Sequence, residues 1–450
     1  MEKHSDFTQG AILPKLLRFA LPVLGAMILQ VMYGAVDLMV VGRFADASAV
    51  SAVSTGSQLM HTITTVVTGL SMGTTVLLGR TLGEGRSDRA GSVIGGAIWL
   101  FGVLGAALSV FTVVFAPQLC VLMHAPQEAL SQTIAYVRIC GAGTLFIVAY
   151  NILGSVFRGI GDSKTPLLSV IIACIANIFG DLFFVCVVGM AADGAALATV
   201  LVQGLSVVIC FAVIKKRGLP FPFSKKDMKP EKRPILSTVR LGAPIAAQDL
   251  LVSLSFIVIL VIVNSLGLVA SAGMGVAEKL CGFIMLVPSA FSQSLSAFVA
   301  QNMGAGKPQR ARRAMLCGML ASFAIGVVMF YMGFFHGDIM CSWFASDAAV
   351  IAAGADYLKS YAIDTLLTAF LFCFIGYFNG CGNTTFVMIQ GLAGAFGVRI
   401  PVSFVMRRLE PVSLFRIGLA TPSSTAVQIA LCAVFLVWQM RKERTKKTIG

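Results

Sequence analysis

The chain has 450 residues, 57% of them hydrophobic and only 12% charged, with a mean hydropathy of +0.88. A soluble domain carries about 25% charged residues, so this composition excludes a water-soluble enzyme or scaffold and points to a protein solvated by lipid. The net charge of +14 is no signature of nucleic-acid binding, because lysine and arginine gather in alternate loops between apolar runs, as the positive-inside rule asks of cytoplasmic loops.

The N-terminal MEKHSDFTQG is polar, and the apolar run behind it is too long for the core of a signal peptide. With no small-residue cleavage site, no removed leader is expected. Apolar runs of about 20 residues, the length a helix needs to cross a bilayer, then recur along the chain. Twelve spans are expected: 18–43, 50–79, 92–116, 132–156, 165–189 and 194–214, then 240–264, 274–301, 314–337, 357–379, 385–406 and 412–438. The basic clusters between them are Arg80, Arg86 and Arg89; Lys215 to Arg233; Lys307, Arg310, Arg312 and Arg313; and Arg441 to Lys447. They place both termini in the cytoplasm, which requires an even number of spans. Arg407, Arg408 and Arg416, flanking the last outer loop, run against the rule. The expected organisation is an N-lobe (1–214), a basic cytoplasmic linker (215–234), a C-lobe (235–440) and a basic cytoplasmic tail (441–450). The fold class is all-α integral membrane. Eleven cysteines are scattered singly with no CxxC pair, which fits packing rather than disulfides or metal.

Two acids lie inside spans. Asp37 is the only charge between Arg18 and Arg43, and Asp181 sits in ANIFGDLFFVCVV. A carboxylate at mid-bilayer costs about 3 kcal/mol or more, so each is a functional candidate. Both spans run outward. Asp37 is about 28 Å along the first and Asp181 about 24 Å along the fifth, at about 1.5 Å per residue, so both belong to the outer half of the N-lobe. Asn177 and Asp181 are i, i+4 and share a face. Thr199, early in the sixth span, and Tyr136, at the outer end of the fourth, lie at compatible depth, and Asn151 is deeper. Two carboxylates in a poorly solvated pocket do not both ionise cheaply, and a proton or a Na+ relieves the conflict equally well. A structural alternative, polar groups acting as glue between helices, stands for Asn177 and Thr199.

Shifted by 221 or 222 residues, the chain aligns with itself. RFALPVLG meets RLGAPIAA, with Pro22 on Pro244; GRTLGEGRSDRA meets AQNMGAGKPQRA; FRGIGDSKT meets FNGCGNTTF, with Gly159 and Gly161 on Gly380 and Gly382. Each half has six spans, so both enter from the same side. Such parallel repeats are related by a pseudo-two-fold axis along the membrane normal, the architecture of an alternating-access carrier with a cleft between lobes. A channel is the alternative. Pro22 and Pro244 each remove a backbone hydrogen bond within a span, making a hinge or a static kink.

These segments, with YGAVDLMVVGRF in the first span and GVRIPVSF in the eleventh, resemble the MATE (multidrug and toxic compound extrusion) family, over essentially the whole chain. The resemblance implies an exporter of cationic and amphipathic drugs, exchanging them for H+ or Na+, with two six-helix lobes, a V-shaped cleft and no ATPase domain. No GxxxxGK[ST] occurs here. It also implies a DinF-like placement of the coupling carboxylates, in the N-lobe at Asp37 and Asp181 with Asn177, Thr199 and Tyr136 beside them, nearest to a MepA-like group. The NorM-like glutamate of the seventh helix is missing from GAPIAAQDLLVSLSF, which has Gln248 and Asp249 instead. Cleft candidates for a cationic substrate are Asn151, Gln248, Asp249, Glu278 and Asp364. Arg399, beside Pro401, reads as a packing or gating feature. No cofactor beyond the coupling ion is expected. The expected setting is the inner membrane of a bacterium, in contact with the lipid bilayer, and nothing demands an oligomer. A flippase for a lipid-linked precursor is the rival reading. It calls for a cationic cleft to hold a diphosphate, whereas the N-lobe interior carries carboxylates. A membrane enzyme finds no support: of four histidines only His61 lies well inside a span, and there is no HExxH.

Overall fold

The computed structural model describes residues 6–449; the basic tail expected at 441–450 therefore reaches outside the described residues at 450, and the side chains at 225, 444 and 446–449 are not described either. Among the described residues all regular structure is helical. Eleven helices are long and apolar enough to cross a membrane, and a bent pair supplies a twelfth. In chain order they are α1 (Ile12–Phe44), α2 (Ala47–Gly83), α3 (Ser87–Val114), α4 (Leu130–Ala142 with Thr144–Gly159), α5 (Lys164–Val187) and α6 (Ala191–Arg217), then α7 (Lys232–Asn264), α8 (Leu268–Gly304), α9 (Pro308–Phe335), α10 (Ala348–Gly380), α11 (Thr384–Arg407) and α12 (Leu414–Glu443). Every expected span falls on one of these helices. The difference is at α4, which turns by 47° at Gly143 and is two helical segments. Outward-facing side chains such as Val103 and Leu320 are 64% and 72% exposed. A surface this apolar is solvated by lipid rather than water.

Local chemistry sets the ends of these helices. Asp46 caps α2, accepting the Ala49 amide at 2.9 Å, and that amide with the Ser48 hydroxyl holds its carboxyl below the usual carboxylate range. Asp347 caps α10 through the Ala349 and Val350 amides. The repeated loop glycines have a backbone cause. Gly85 and Gly306 take φ of +73° and +67°, and Gly161 and Gly382 take +81° and +84°, a left-handed turn that residues with a Cβ avoid.

The chain divides into two compact units: residues 1–246 with 300–307, and residues 247–299 with 308–450. In the first, α1 lies along α5, α2 along α4, α3 along α4, and α5 along α6. Its apolar core has one cluster around Val67, Leu78, Phe101 and Phe157 and another around Val41, Val53, Tyr136 and Val185. In the second, α8, α9 and α12 each lie along α10, around Ile259, Met274, Tyr357 and Leu358. The duplication persists at contact level. Gly159 seats α4 on α2 against Leu78 and the Thr75 carbonyl, and Gly380 seats α10 on α8 against Val299 and the Ser296 carbonyl, the same positions one repeat later.

Candidate functional site

Three helices of the first unit bring polar groups to one buried point. The α1 turn Tyr33–Asp37 puts both side chains on one face, four residues apart. Asn177 and Asp181 do the same on α5, as do Thr199 and Gln203 on α6. Asp37 is 5% exposed, and Asn177 and Asp181 are fully buried. The Thr199 hydroxyl donates to Asp37 Oδ2 at 3.1 Å, and one turn away the Gln203 amide donates to the Tyr33 hydroxyl at 3.2 Å. Asp181 faces Asp37, and Asn177 faces Asp37 as well. Two carboxylates that face each other offer acceptors and no donor. Accordingly, among the described residues, the acceptor oxygens Asp37 Oδ1, Asn177 Oδ1 and both of Asp181 are buried without a hydrogen-bond partner, as is the donor Asn177 Nδ2.

The surrounding backbone fixes this arrangement. Immediately after Asp181, α5 relaxes into a π-helical turn, Leu182–Val187, a device that re-aims side chains and recurs at functional positions. Tyr136, on the first segment of α4, is buried near Asp37 and Tyr33. Its ring lies against Gly56, where a Cβ would approach it to 2.3 Å, so only glycine lets α2 pass there.

Asn151 is placed elsewhere. It accepts from the Thr68 hydroxyl at 2.9 Å and donates to the Ile147 carbonyl at 2.8 Å. The ladder between α2 and α4 continues through Ser71 and Ser155 at 2.8 Å to Arg158 at 3.1 Å. Pro22 and Pro244 lie inside continuous helices.

The second unit holds the remaining candidates. Asp364 on α10 is 2% exposed, near Thr425 of α12. Glu278 on α8 borders a cavity of about 230 Å³ with Phe256, Met285, Tyr357 and Tyr361. Gln248 lies beneath Gly391, and Asp249, one residue on, is half-buried. Arg399 is buried at the end of a π-helical turn, Ala395–Arg399. Tyr33 and Gln203 were not among the expected residues. Their signal was present in the sequence, since each lies one helical turn from an expected one.

The sequence profile of the MatE family matches residues 22–183 and again 244–405. The chain belongs to the MatE family. It is therefore a multi-pass membrane transporter and not an enzyme. Two matches at one offset also show the internal duplication read from the loops. Among relatives, this MatE protein is 25% identical to the probable multidrug resistance protein YoeA of Bacillus subtilis (strain 168), over 96% of this chain and 95% of that one. It is 22% identical to the multidrug export protein MepA of Staphylococcus haemolyticus (strain JCSC1435), over 98% and 96%. Its fold matches the outward-facing conformation of a multidrug resistance MATE family transporter of the MOP superfamily with a TM-score of 0.91, at 20% identity and 98% coverage of both chains.

Proposed function

We propose that this MatE protein is a secondary active exporter that moves cationic or amphipathic small molecules out of the cell in exchange for inward H+ or Na+, coupled at Asp37 and Asp181. The reading is carried by the four partnerless buried acceptor oxygens of Asp37, Asn177 and Asp181. Buried polar groups are nearly always satisfied, and a cluster that lacks donors between two carboxylates is satisfied by a bound proton or a bound cation. The names of the relatives, multidrug resistance and multidrug export proteins, support the substrate class.

The cycle follows from charge. With both acids ionised, the cluster attracts a cationic substrate. A proton or a Na+ arriving from outside neutralises the pair, using the carboxylates, the Asn177 amide oxygen and the Thr199 hydroxyl as ligands or hydrogen-bond partners, and removes that attraction. The substrate leaves outward, access alternates, and the ion leaves inward. Tyr136 closes the cluster. Pro22, fifteen residues before Asp37 on the same helix, lets α1 bend with the charge state, and Pro244 is its counterpart in α7. Asn151, Gln248, Asp249, Glu278 and Asp364 contact substrate rather than the coupling ion. The protein acts as a monomer in the cytoplasmic membrane of a bacterium, both termini inside, with the basic linker at 215–234 joining lobes 1–214 and 235–440. The test is ethidium uptake into inside-out vesicles under an imposed ΔpH or ΔpNa. Accumulation that follows one of the two gradients and collapses with it supports antiport. Equilibration that ignores both refutes it.

A further inference from the structure

The basic linker is folded onto the first unit rather than left as a free tether. Phe221 is buried in the core around Phe101 and Phe157. Residues Lys225–Met228 form one 3-10 turn, closed by the Ser224 amide and hydroxyl, which donate to Asp227 Oδ2 at 2.7 and 2.9 Å. This turn rests on α3. A Cβ at Gly91 would come within 2.7 Å of Asp227 Cγ, and one at Gly95 would overlap the Asp227 carbonyl oxygen, so these two glycines let the turn lie flush on the helix. One helical turn further along, the Trp99 indole donates to the Met228 carbonyl at 2.6 Å. Gly91, Gly95, Trp99 and Val103 follow one i, i+4 ridge of α3. The linker covers the first half of that ridge; beyond it, Trp99 is 47% exposed and Val103 faces lipid. The linker turn therefore ends where the lipid-facing surface of α3 begins.

That boundary carries unbalanced positive charge. Lys226, Lys229, Lys232 and Arg233 are all exposed, and none has an ion pair among the described residues. The acids of the segment are Asp227, spent on closing its own turn, and Glu231. Apolar side chains accompany the cations: Met228 is 46% exposed, and Phe223 is exposed as well. Water would solvate the lysines and leave these apolar groups unsatisfied, whereas a membrane interface satisfies both. Tryptophan sits at headgroup level, and lysine lays its stem over apolar surface while its ammonium reaches the polar layer. A juxtamembrane cation cluster of this size attracts anionic lipid.

We propose that this surface binds an anionic phospholipid of the adjoining leaflet: an acyl chain lies along Trp99 and Val103, and the phosphodiester accepts from the ammonium groups of Lys226 and Lys229. It includes none of the coupling residues, so the exchange reading stands or falls apart from it. Trp99 supplies the probe. The chain has three tryptophans, so in full-length Trp343→Phe/Trp438→Phe protein Trp99 alone fluoresces as tryptophan, and lipids with brominated acyl chains quench it on contact. The protein is reconstituted in phosphatidylcholine vesicles containing brominated phosphatidylglycerol or, at equal mole fraction, brominated phosphatidylcholine. Brominated phosphatidylglycerol is expected to occupy the site about fivefold more readily, the factor for one lysine–headgroup contact. The preference should vanish in about 1 M NaCl, where screening acts within about 3 Å. It should also vanish in Lys226→Gln/Lys229→Gln and persist in Arg441→Gln/Lys442→Gln, which removes charge elsewhere. Gly95→Ala keeps every cation but lifts the turn off α3, so it too should lose the preference. Equal quenching by the two lipids overturns the proposal. So does a preference that survives Lys226→Gln/Lys229→Gln, one that is lost in Arg441→Gln/Lys442→Gln, or one that is undiminished in folded Gly95→Ala.

Discussion

Replacing Asp37 by Asn changes one oxygen to an amide nitrogen. The Asn carbonyl still accepts from Thr199, as Asp37 Oδ2 does at 3.1 Å, so packing and that hydrogen bond survive. What is lost is one of two facing carboxylates. Like charges about 4 Å apart repel by roughly 4 kcal/mol at an effective dielectric near 20, so the variant should fold at least as stably as wild type. Transport should fail for a different reason. In one-for-one exchange of ethidium for H+ the net charge moved is zero, and a gradient of one pH unit supplies about 1.4 kcal/mol, roughly a tenfold accumulation; a tenfold Na+ gradient supplies the same. In proteoliposomes wild type should therefore concentrate ethidium about tenfold under the effective gradient, and Asp37→Asn should only equilibrate it. The readout is ethidium fluorescence, normalised to the folded protein recovered after size-exclusion chromatography. Wild-type accumulation by the folded variant would refute the reasoning, because no neutral residue at position 37 can exchange charge with the gradient.

Asp181→Asn should behave like Asp37→Asn in the same assay, whereas Asp364→Asn should narrow the range of exported compounds and leave accumulation of the remainder coupled. Thr199→Val removes the donor to Asp37, a change of about 1–3 kcal/mol for a buried charged group; the ion concentration giving half-maximal efflux should shift about fivefold or more, with the maximal rate retained. Pro22→Ala restores a backbone donor inside α1, so the maximal efflux rate should fall while the half-saturating ion concentration holds. Gly56→Ala drives a methyl into the Tyr136 ring, 2.3 Å away before any movement; overpacking of this kind costs about 1–3 kcal/mol, read as a lower melting temperature in detergent.

How much of this was legible in the sequence depends on the kind of question. Spans were legible because an apolar run of about 20 residues in lipid has to satisfy its backbone internally, and a helix does so. The duplication was legible because left-handed turns at Gly85, Gly161, Gly306 and Gly382 keep their glycines. The bend of α4 at Gly143 was not, since hydropathy runs unbroken through it. Depth along a helix placed Asp37 and Asp181 together, yet depth says nothing of rotation: Asn151 turns to Thr68 on α2, while Tyr33 and Gln203, equally readable as one-turn neighbours, come to the cluster. Arg399 read as packing or gating from its neighbouring proline; what the sequence could not show is its burial with Nη1 donating to Ser255 of α7.

The central claim is that coupling ion and substrate compete for one negative cluster. It is tested most directly by titrating purified wild-type protein with ethidium in weakly buffered solution, at pH 6 without Na+ and at pH 8 with Na+, while following release of the ion with a pH indicator or a Na+ electrode. The account predicts that ethidium binding expels about one H+ or one Na+ per protein, and that Asp37→Asn abolishes the release. Ethidium binding with no release of either ion, or release unchanged in Asp37→Asn, would contradict it.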